Sequence, residues 1–180
     1  MKTSHIIASL PLVGTVLAVE MSRYVAAPDV EPEFASYLKE LYASAEDPSA
    51  TNTFTDFFTP AGQLLVLGHV ATGAEPIVAL KQQLLPAAAN KHWNHLPNAT
   101  TVDSETAGQK TYQVLGVIET RFDGASGNCS QAYYSSRFTV TKGSASGAAQ
   151  VIPHARNLVA YDDFVVDPHE SPTHIACGTV

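Results

Sequence analysis

The chain has 180 residues, of which 45% are hydrophobic and 15% are charged. This is enough apolar material for one packed domain, but the length is too short for two ordinary domains. Seventeen acidic residues against ten basic ones give a net charge of -7, which disfavours binding to nucleic-acid phosphates. The composition also excludes disordered, collagen-like and coiled-coil chains.

Residues 1–18 have the pattern of a secretory signal peptide. Lys2 precedes an apolar run, and small residues before the end of this segment suit cleavage after Ala18. The run contains Pro11 and Gly14 and is shorter than the roughly 20 residues of a spanning helix, so an uncleaved anchor is the alternative. The sequence therefore predicts a secreted, extracellular protein with no membrane association after cleavage.

The two cysteines support the same expectation. In an oxidising compartment Cys129 and Cys177 are expected to form one disulfide that ties down the C-terminal tail. Two buried free thiols are the alternative. Asn98 begins an Asn-Ala-Thr sequon and is the candidate glycosylation site of a glycoprotein.

The spacing of apolar residues in the first half of the domain predicts mainly helices. Pro32 suits a first helical turn, and Phe34, Tyr37, Leu38 and Leu41 recur on one helix face. Thr53 suits the start of a short second helix. The predicted elements are, in chain order, an extended leader (19–30), an amphipathic helix (31–47), a short helix (51–58), a buried strand (62–68), a loop (68–73) and a third helix (75–88).

After Pro86 the apolar pattern changes to a period near two, which predicts strands. The candidate strands are residues 92–102, 110–122, 130–142 and 150–166. Short turn-rich connections favour an antiparallel meander. The expected fold class is therefore α+β, with N-terminal helices packed on a strongly curved, mostly antiparallel sheet. The domain spans 31–166, followed by a tail over 167–180, and the resulting cone can enclose a pocket.

Four segments carry a resemblance to a known superfamily: FTDFFTPAGQLLVLG, GAEPIVALKQQLL, HWNHLPNATTV and YQVLGVIETRF. Together they resemble the nuclear transport factor 2-like superfamily, especially its SnoaL-like and scytalone dehydratase-like branch, over most of 31–166. The resemblance implies a cystatin-like α+β barrel, a small hydrophobic or polyketide-like ligand and a homodimer. It also suggests a fungal secreted protein. Members include cofactor-independent dehydratases, cyclases and isomerases, and proteins without known catalysis.

The resemblance also implies site residues. His95 looks like the strand histidine of scytalone dehydratase-like members, whereas Glu119 stands where the surroundings resemble those of a second histidine. Tyrosines and an acid near the end of the first helix correspond to the region of Tyr37, Tyr42, Glu46 and Asp47. The resulting hypothesis makes His95 the general base or acid, Glu119 its proton partner, and Tyr37 or Tyr42 a hydrogen-bond donor to substrate.

Alternation along residues 110–122 places Leu115 and Val117 on the face of Glu119. Glu119 is then either a buried catalytic carboxylate or simply an ion-pair partner of Arg121 or Arg137. The candidate ligand pocket is lined by Trp93, Leu115, Val117 and Arg137. Trp93 is alternatively a core residue.

Other polar residues give weaker signals. Asp162 and Asp163 resemble acid–base carboxylates, but a solvated strand edge is the favoured interpretation. His92 and His95 are spaced unfavourably for a metal on a strand, so no metal is expected. Without a phosphate loop or a nucleophile elbow, we expect no cofactor. The leading function is a lyase or isomerase that uses His–Glu acid–base chemistry; the alternative is a non-catalytic, secreted small-molecule-binding or interaction protein.

Overall fold

A computed structural model describes residues 19–88, 90–123, 129–144, 147–167 and 177. The signal peptide and most of the C-terminal tail predicted from the sequence therefore lie outside the described residues. The elements are β1 (Val25–Ala26), α1 (Phe34–Glu46), α2 (Asn52–Thr55), β2 (Phe58–Val66), β3 (His69–Thr72), α3 (Ala74–Leu84), β4 (Lys91–Glu105), β5 (Gln109–Phe122), β6 (Cys129–Thr141) and β7 (Leu158–Asp167).

One mixed sheet of seven strands organises the fold, in the order β1-β4-β5-β6-β7-β2-β3. Strands β4 to β7 pair antiparallel in sequence order, as the long period-two segments predict. Strand β2 then joins β7 in parallel. The expected α+β class, with few helices on a large sheet, is confirmed.

Several element boundaries differ from the sequence-based prediction. Strand β7 begins at Leu158 rather than at position 150, since His154 and Arg156 adopt positive φ angles of 55° and 54° that interrupt an extended chain. The predicted loop over 68–73 contains strand β3. Leu67 and Gly68, with φ angles of 49° and 84°, turn the chain into the β2–β3 hairpin.

Strand β2 begins at Phe58 rather than at position 62, so Pro60 and Ala61 lie inside it. The register of β2 against β7 shifts between Phe58 and Gln63. An irregularity of this kind accommodates a proline within a strand.

Helix α1 packs its apolar side against the sheet face that we call the inner face. Phe34, Tyr37, Leu38, Leu41 and Tyr42 are fully buried. Phe34 stacks on Tyr112 of β5 with ring centroids 4.0 Å apart, so aromatic contacts join the helix to the sheet. In the described part of the chain, no helix is long and apolar enough to cross a membrane.

Alternation along β5 assigns each side chain to a face. Tyr112, Val114 and Ile118 lie towards the helices on the inner face, whereas Leu115 and Val117 lie on the opposite, outer face. The register with β4 and β6 extends these two sets across the sheet. This assignment decides which polar residues can share a cavity.

The predicted disulfide between Cys129 and Cys177 is present, with Cα atoms 5.9 Å apart. Cys129 pairs in register with Arg121 on the outer face. Asn98 is exposed on β4, which is compatible with a glycan. Glycosylation itself stays a prediction.

Candidate active site

A cavity of about 320 Å³ opens between the helical layer and the inner face of the sheet. Its volume lies at the lower end of the range of small-molecule pockets. Most of its lining is apolar, and His95 and Asp163 bring acid–base groups into it. The apolar lining includes Ala45, Phe54, Leu64, Val66, Leu84, Trp93, Ile118, Ala132 and Tyr161.

His95 of β4 is held by two hydrogen bonds to Glu46 and by stacking on Tyr42, both residues of α1. Its Nδ1 lies 2.9 Å from Oε1 of Glu46, the last residue of the helix, and its backbone N–H donates to the same oxygen. The imidazole also stacks flat on Tyr42, with ring centroids 4.2 Å apart and an interplanar angle of 6°. The Glu46 carboxylate favours a proton on Nδ1, which leaves Nε2 as the ring nitrogen that can exchange a proton with a ligand.

Asp163 of β7 is the second titratable group in the cavity with an acid–base role. Burial raises the pKa of its carboxyl above the usual value, although the nearby charge of His95 and a hydrogen bond from Ser136 both act to lower it. The Ser136 hydroxyl donates to Oδ1 over 2.5 Å. The raised pKa makes Asp163 a better candidate proton donor than a solvent-exposed aspartic acid.

Two lysines also line the cavity. Lys81 of α3 donates from Nζ to the carbonyl oxygens of Asp47 and Ala50, 2.5 and 3.1 Å away. Lys91, at the start of β4, donates to the Leu84 carbonyl over 3.1 Å, and its Nζ lies 4.7 Å from the centre of the Trp93 ring. Burial lowers the pKa of both amines.

The predicted His95–Glu119 pair is not formed. Asn94 pairs with Glu119 in the β4–β5 register, whereas His95 pairs with Ile118, so the imidazole and the carboxylate lie on opposite faces of the sheet. Glu119 is fully buried on the outer face, where Arg121 Nε lies 3.2 Å from Oε1 and Gln131 donates to Oε2 over 3.2 Å. This geometry fits the alternative interpretation, in which Glu119 is an ion-pair partner of Arg121.

The pocket prediction is wrong for three of its four residues. Leu115 and Val117 lie on the outer face with Glu119, and Leu115 is 45% exposed. Arg137 pairs in register with Gln113 on that face and contacts Asp103. Trp93 does line the cavity.

The tyrosine roles also need correction, because neither Tyr37 nor Tyr42 lines the cavity. The Tyr37 hydroxyl donates to Oδ1 of Asn157 over 3.0 Å inside the core. Tyr42 is fully buried and supports His95 by stacking. Tyr42 is therefore a positioning residue, since it acts through the imidazole.

Sequence reasoning missed Asp163, which was interpreted as part of a solvated edge. Strand β7 is not an edge, because it lies between β6 and β2. The available signal was alternation: Tyr161 faces the core, so Asp163, two residues later, shares its face. Glu46 lies in the region that the resemblance indicated, but only the structure shows that it binds His95.

Among the described residues, the one cluster of three potential metal ligands is formed by Glu119, Cys129 and Cys177. Both of its sulfur atoms belong to the disulfide. Metal-binding thiolates are therefore not available there while the bond is intact.

Comparison with solved structures shows the fold of the chain. An NTF2-like protein with a cystatin-like fold from Novosphingobium aromaticivorans superposes with a TM-score of 0.51 at 17% identity, covering 75% of this chain and 83% of that chain. The chain has the NTF2-like, cystatin-like fold.

Two further solved structures match the fold with similar scores. Aln2 from a Streptomyces species has a TM-score of 0.54 at 16% identity and covers 76% of this chain and 93% of that one. A protein from Catenulispora acidiphila in complex with S-DNPA has a TM-score of 0.53 at 14% identity and covers 74% and 93%. No protein-family model matches the sequence, and no curated protein matches it significantly.

Proposed function

We propose that this NTF2-like chain binds a small, partly hydrophobic molecule in its cavity and catalyses a cofactor-free lyase or isomerase reaction. One observation carries the proposal: an oriented imidazole and a carboxyl group converge on an otherwise mostly apolar cavity. Such pairs of groups in contrasting environments suit proton transfer. The complex of the Catenulispora acidiphila protein with S-DNPA supports the use of this fold for small-molecule binding.

The proposed chemistry begins at His95. Nε2 removes a proton from a carbon next to a carbonyl group, and the Glu46 carboxylate stabilises the imidazolium that forms. In a dehydration, Asp163 gives its proton to the departing hydroxyl group, which leaves as water. In an isomerisation, the proton returns to a different carbon. Proton exchange with solvent then returns both groups to the states in which they began the reaction.

A base in an apolar cavity can be tested without the natural substrate. 5-Nitrobenzisoxazole opens to a coloured cyanophenolate when a base removes its ring C–H proton and the N–O bond breaks. We expect the protein to accelerate this reaction above an equal concentration of free imidazole. His95→Gln should lower the rate by about 100-fold or more, the usual contribution of a positioned base. Absorbance of the product measures the rate.

His92→Gln is the matched control, because His92 lies on the same strand but contacts the exposed Asp123. The control should retain the wild-type rate. Equal rates for wild type and His95→Gln would contradict the catalytic proposal. Saturable binding of the probe without turnover would instead favour a non-catalytic binding protein.

We also propose that the protein is exported and pairs as a homodimer. The N-terminal pattern of residues 1–18 and the Cys129–Cys177 disulfide support export. Exposed apolar side chains on the outer face support pairing.

A further inference from the structure

Lys81 and Lys91 give the cavity a positive charge that the acid–base proposal does not use. The chain as a whole carries a net charge of -7, but among the side chains that line the cavity three are basic, Lys81, Lys91 and His95, and one is acidic, Asp163. The cavity therefore differs in sign from the rest of the molecule, which points to a negatively charged ligand.

Neither cavity lysine forms a salt bridge within the described part of the chain. The lysines that do form ion pairs there are Lys110, with Glu31, and Lys142, with Glu105. The Asp47 carboxylate acts on Lys81 through space, and its Oδ1 accepts hydrogen bonds from Ser49. Carbonyl oxygens are thus the hydrogen-bond partners of both ammonium groups.

Carbonyl oxygens leave part of the hydrogen-bonding capacity of these amines unused. An ammonium group has three N–H donors. Lys81 directs two at carbonyl oxygens and Lys91 directs one, so about three donors remain between them for a ligand. Hydrogen bonds from ammonium to carboxylate are short and strong when water is excluded.

The strand geometry sets the dimensions of such a ligand. Lys91, Trp93 and His95 alternate along one face of β4, and all three line the cavity. With a rise of about 3.3 Å per residue, the Cα atoms of Lys91 and His95 are about 13 Å apart. The Trp93 ring lies between them, where it offers a flat apolar surface to an aromatic ring.

We propose that the cavity selects an aromatic carboxylic acid, with its carboxylate at Lys91, its ring along Trp93 and its reacting carbon at His95. This inference rests on the proposed function, because it assigns the substrate class of the same cavity. The carboxylate would pair with the Lys91 ammonium group, and the ring system would cover the apolar lining of the cavity.

Two probes that differ only in charge test this inference. 2-Naphthylacetate and 2-naphthylacetamide have the same ring and nearly the same size, and isothermal titration calorimetry measures the dissociation constant of each. We expect wild-type protein to bind the acid about tenfold or more tightly than the amide, as one charge-assisted hydrogen bond allows. Lys91→Met should weaken acid binding by about tenfold and change amide binding by less than about twofold.

Lys91→Arg keeps the positive charge and should keep the preference for the acid. Lys39→Met is the control for general loss of charge, because Lys39 is exposed on α1 and does not line the cavity. It should leave both affinities unchanged. This comparison does not depend on Lys81, whose replacement would also remove two hydrogen bonds to the loop after α1.

Three outcomes would overturn the inference. The protein could bind the two probes with equal affinity, it could keep its preference for the acid in Lys91→Met, or it could bind neither probe. The proposed function fails differently. His95→Gln should abolish turnover of 5-nitrobenzisoxazole but leave the acid-to-amide ratio intact. Turnover that depends on His95, without any preference for the acid, would keep the catalytic proposal and remove the anionic substrate.

Discussion

Asp163 carries a carboxyl group that folding largely withdraws from water. Burial raises its pKa, and the opposing influences of His95 and the Ser136 hydroxyl do not cancel this effect. A carboxyl with a raised folded-state pKa does not change stability with pH while it is protonated in both states, but it lowers stability once it must ionise inside the protein. Asp163 therefore links proton donation in the cavity to the stability of the domain.

Asp163→Asn tests this linkage. The contribution of the protonated carboxyl is fully present below its ordinary pKa of 3.8 and is lost as the pH rises through the higher folded-state pKa. The variant should therefore match wild type at low pH and become relatively more stable as the pH rises through that window. Urea unfolding over a pH series measures the difference in the free energy of unfolding.

Asp103→Asn controls for the change in net charge, because Asp103 contacts Arg137 and lies outside the cavity. A difference between Asp163→Asn and wild type that stays constant with pH would contradict the linkage.

At the level of single residues, the sequence identified His95 and Trp93 as candidate site residues but did not reveal the burial of Asp163. That burial depends on β2 covering one side of β7, a contact between distant segments.

At the scale of elements, periodicity predicted α1, α3 and the long strands well because each buries one apolar face. Periodicity did not determine which strand face the helices cover. Alternation placed Leu115, Val117 and Glu119 together, as observed, but they occupy the outer face rather than the cavity. The assignment needs α1, which packs on the face of Tyr112 and Val114.

Strand β5 has one position where only glycine fits. A Cβ atom at Gly116 would lie 2.6 Å from the Leu96 carbonyl oxygen and 2.6 Å from the Tyr134 hydroxyl oxygen. Tyr134 in turn packs edge-on against His95, with ring centroids 5.4 Å apart. Because Gly116 has no side chain, Tyr134 has the space that it needs to pack against His95 and position its imidazole.

Gly116→Ala should lower the free energy of unfolding by about 1 to 3 kcal/mol, the usual cost of overpacking a core. It should also reduce turnover of 5-nitrobenzisoxazole, because movement of Tyr134 displaces His95. Chemical denaturation and the absorbance assay measure the two effects. Gly108→Ala is the matched control, since a Cβ atom there has no neighbour within 4 Å. Equal stability of the two variants would contradict this packing argument.

At the scale of the whole molecule, the outer face of the sheet remains partly apolar. Leu115, Tyr133 and Phe164 are 45%, 42% and 44% exposed, and their register places them on this one face across three neighbouring strands. Arg137 lies beside them, 6.0 Å from the centre of the Phe164 ring. An apolar centre next to a charged group is typical of a surface that associates with another protein.

We expect this face to pair two copies of the chain. Light scattering coupled to size exclusion should give a molar mass twice that of one chain. Leu115→Asp should yield the mass of a monomer, because it places a charge in the apolar centre of the interface. Val70→Asp is the control, since Val70 is 60% exposed on β3, an edge strand that is separated from β5 by three other strands. A wild-type mass equal to one chain at the concentration used for activity would remove the dimer and leave the cavity chemistry unaffected.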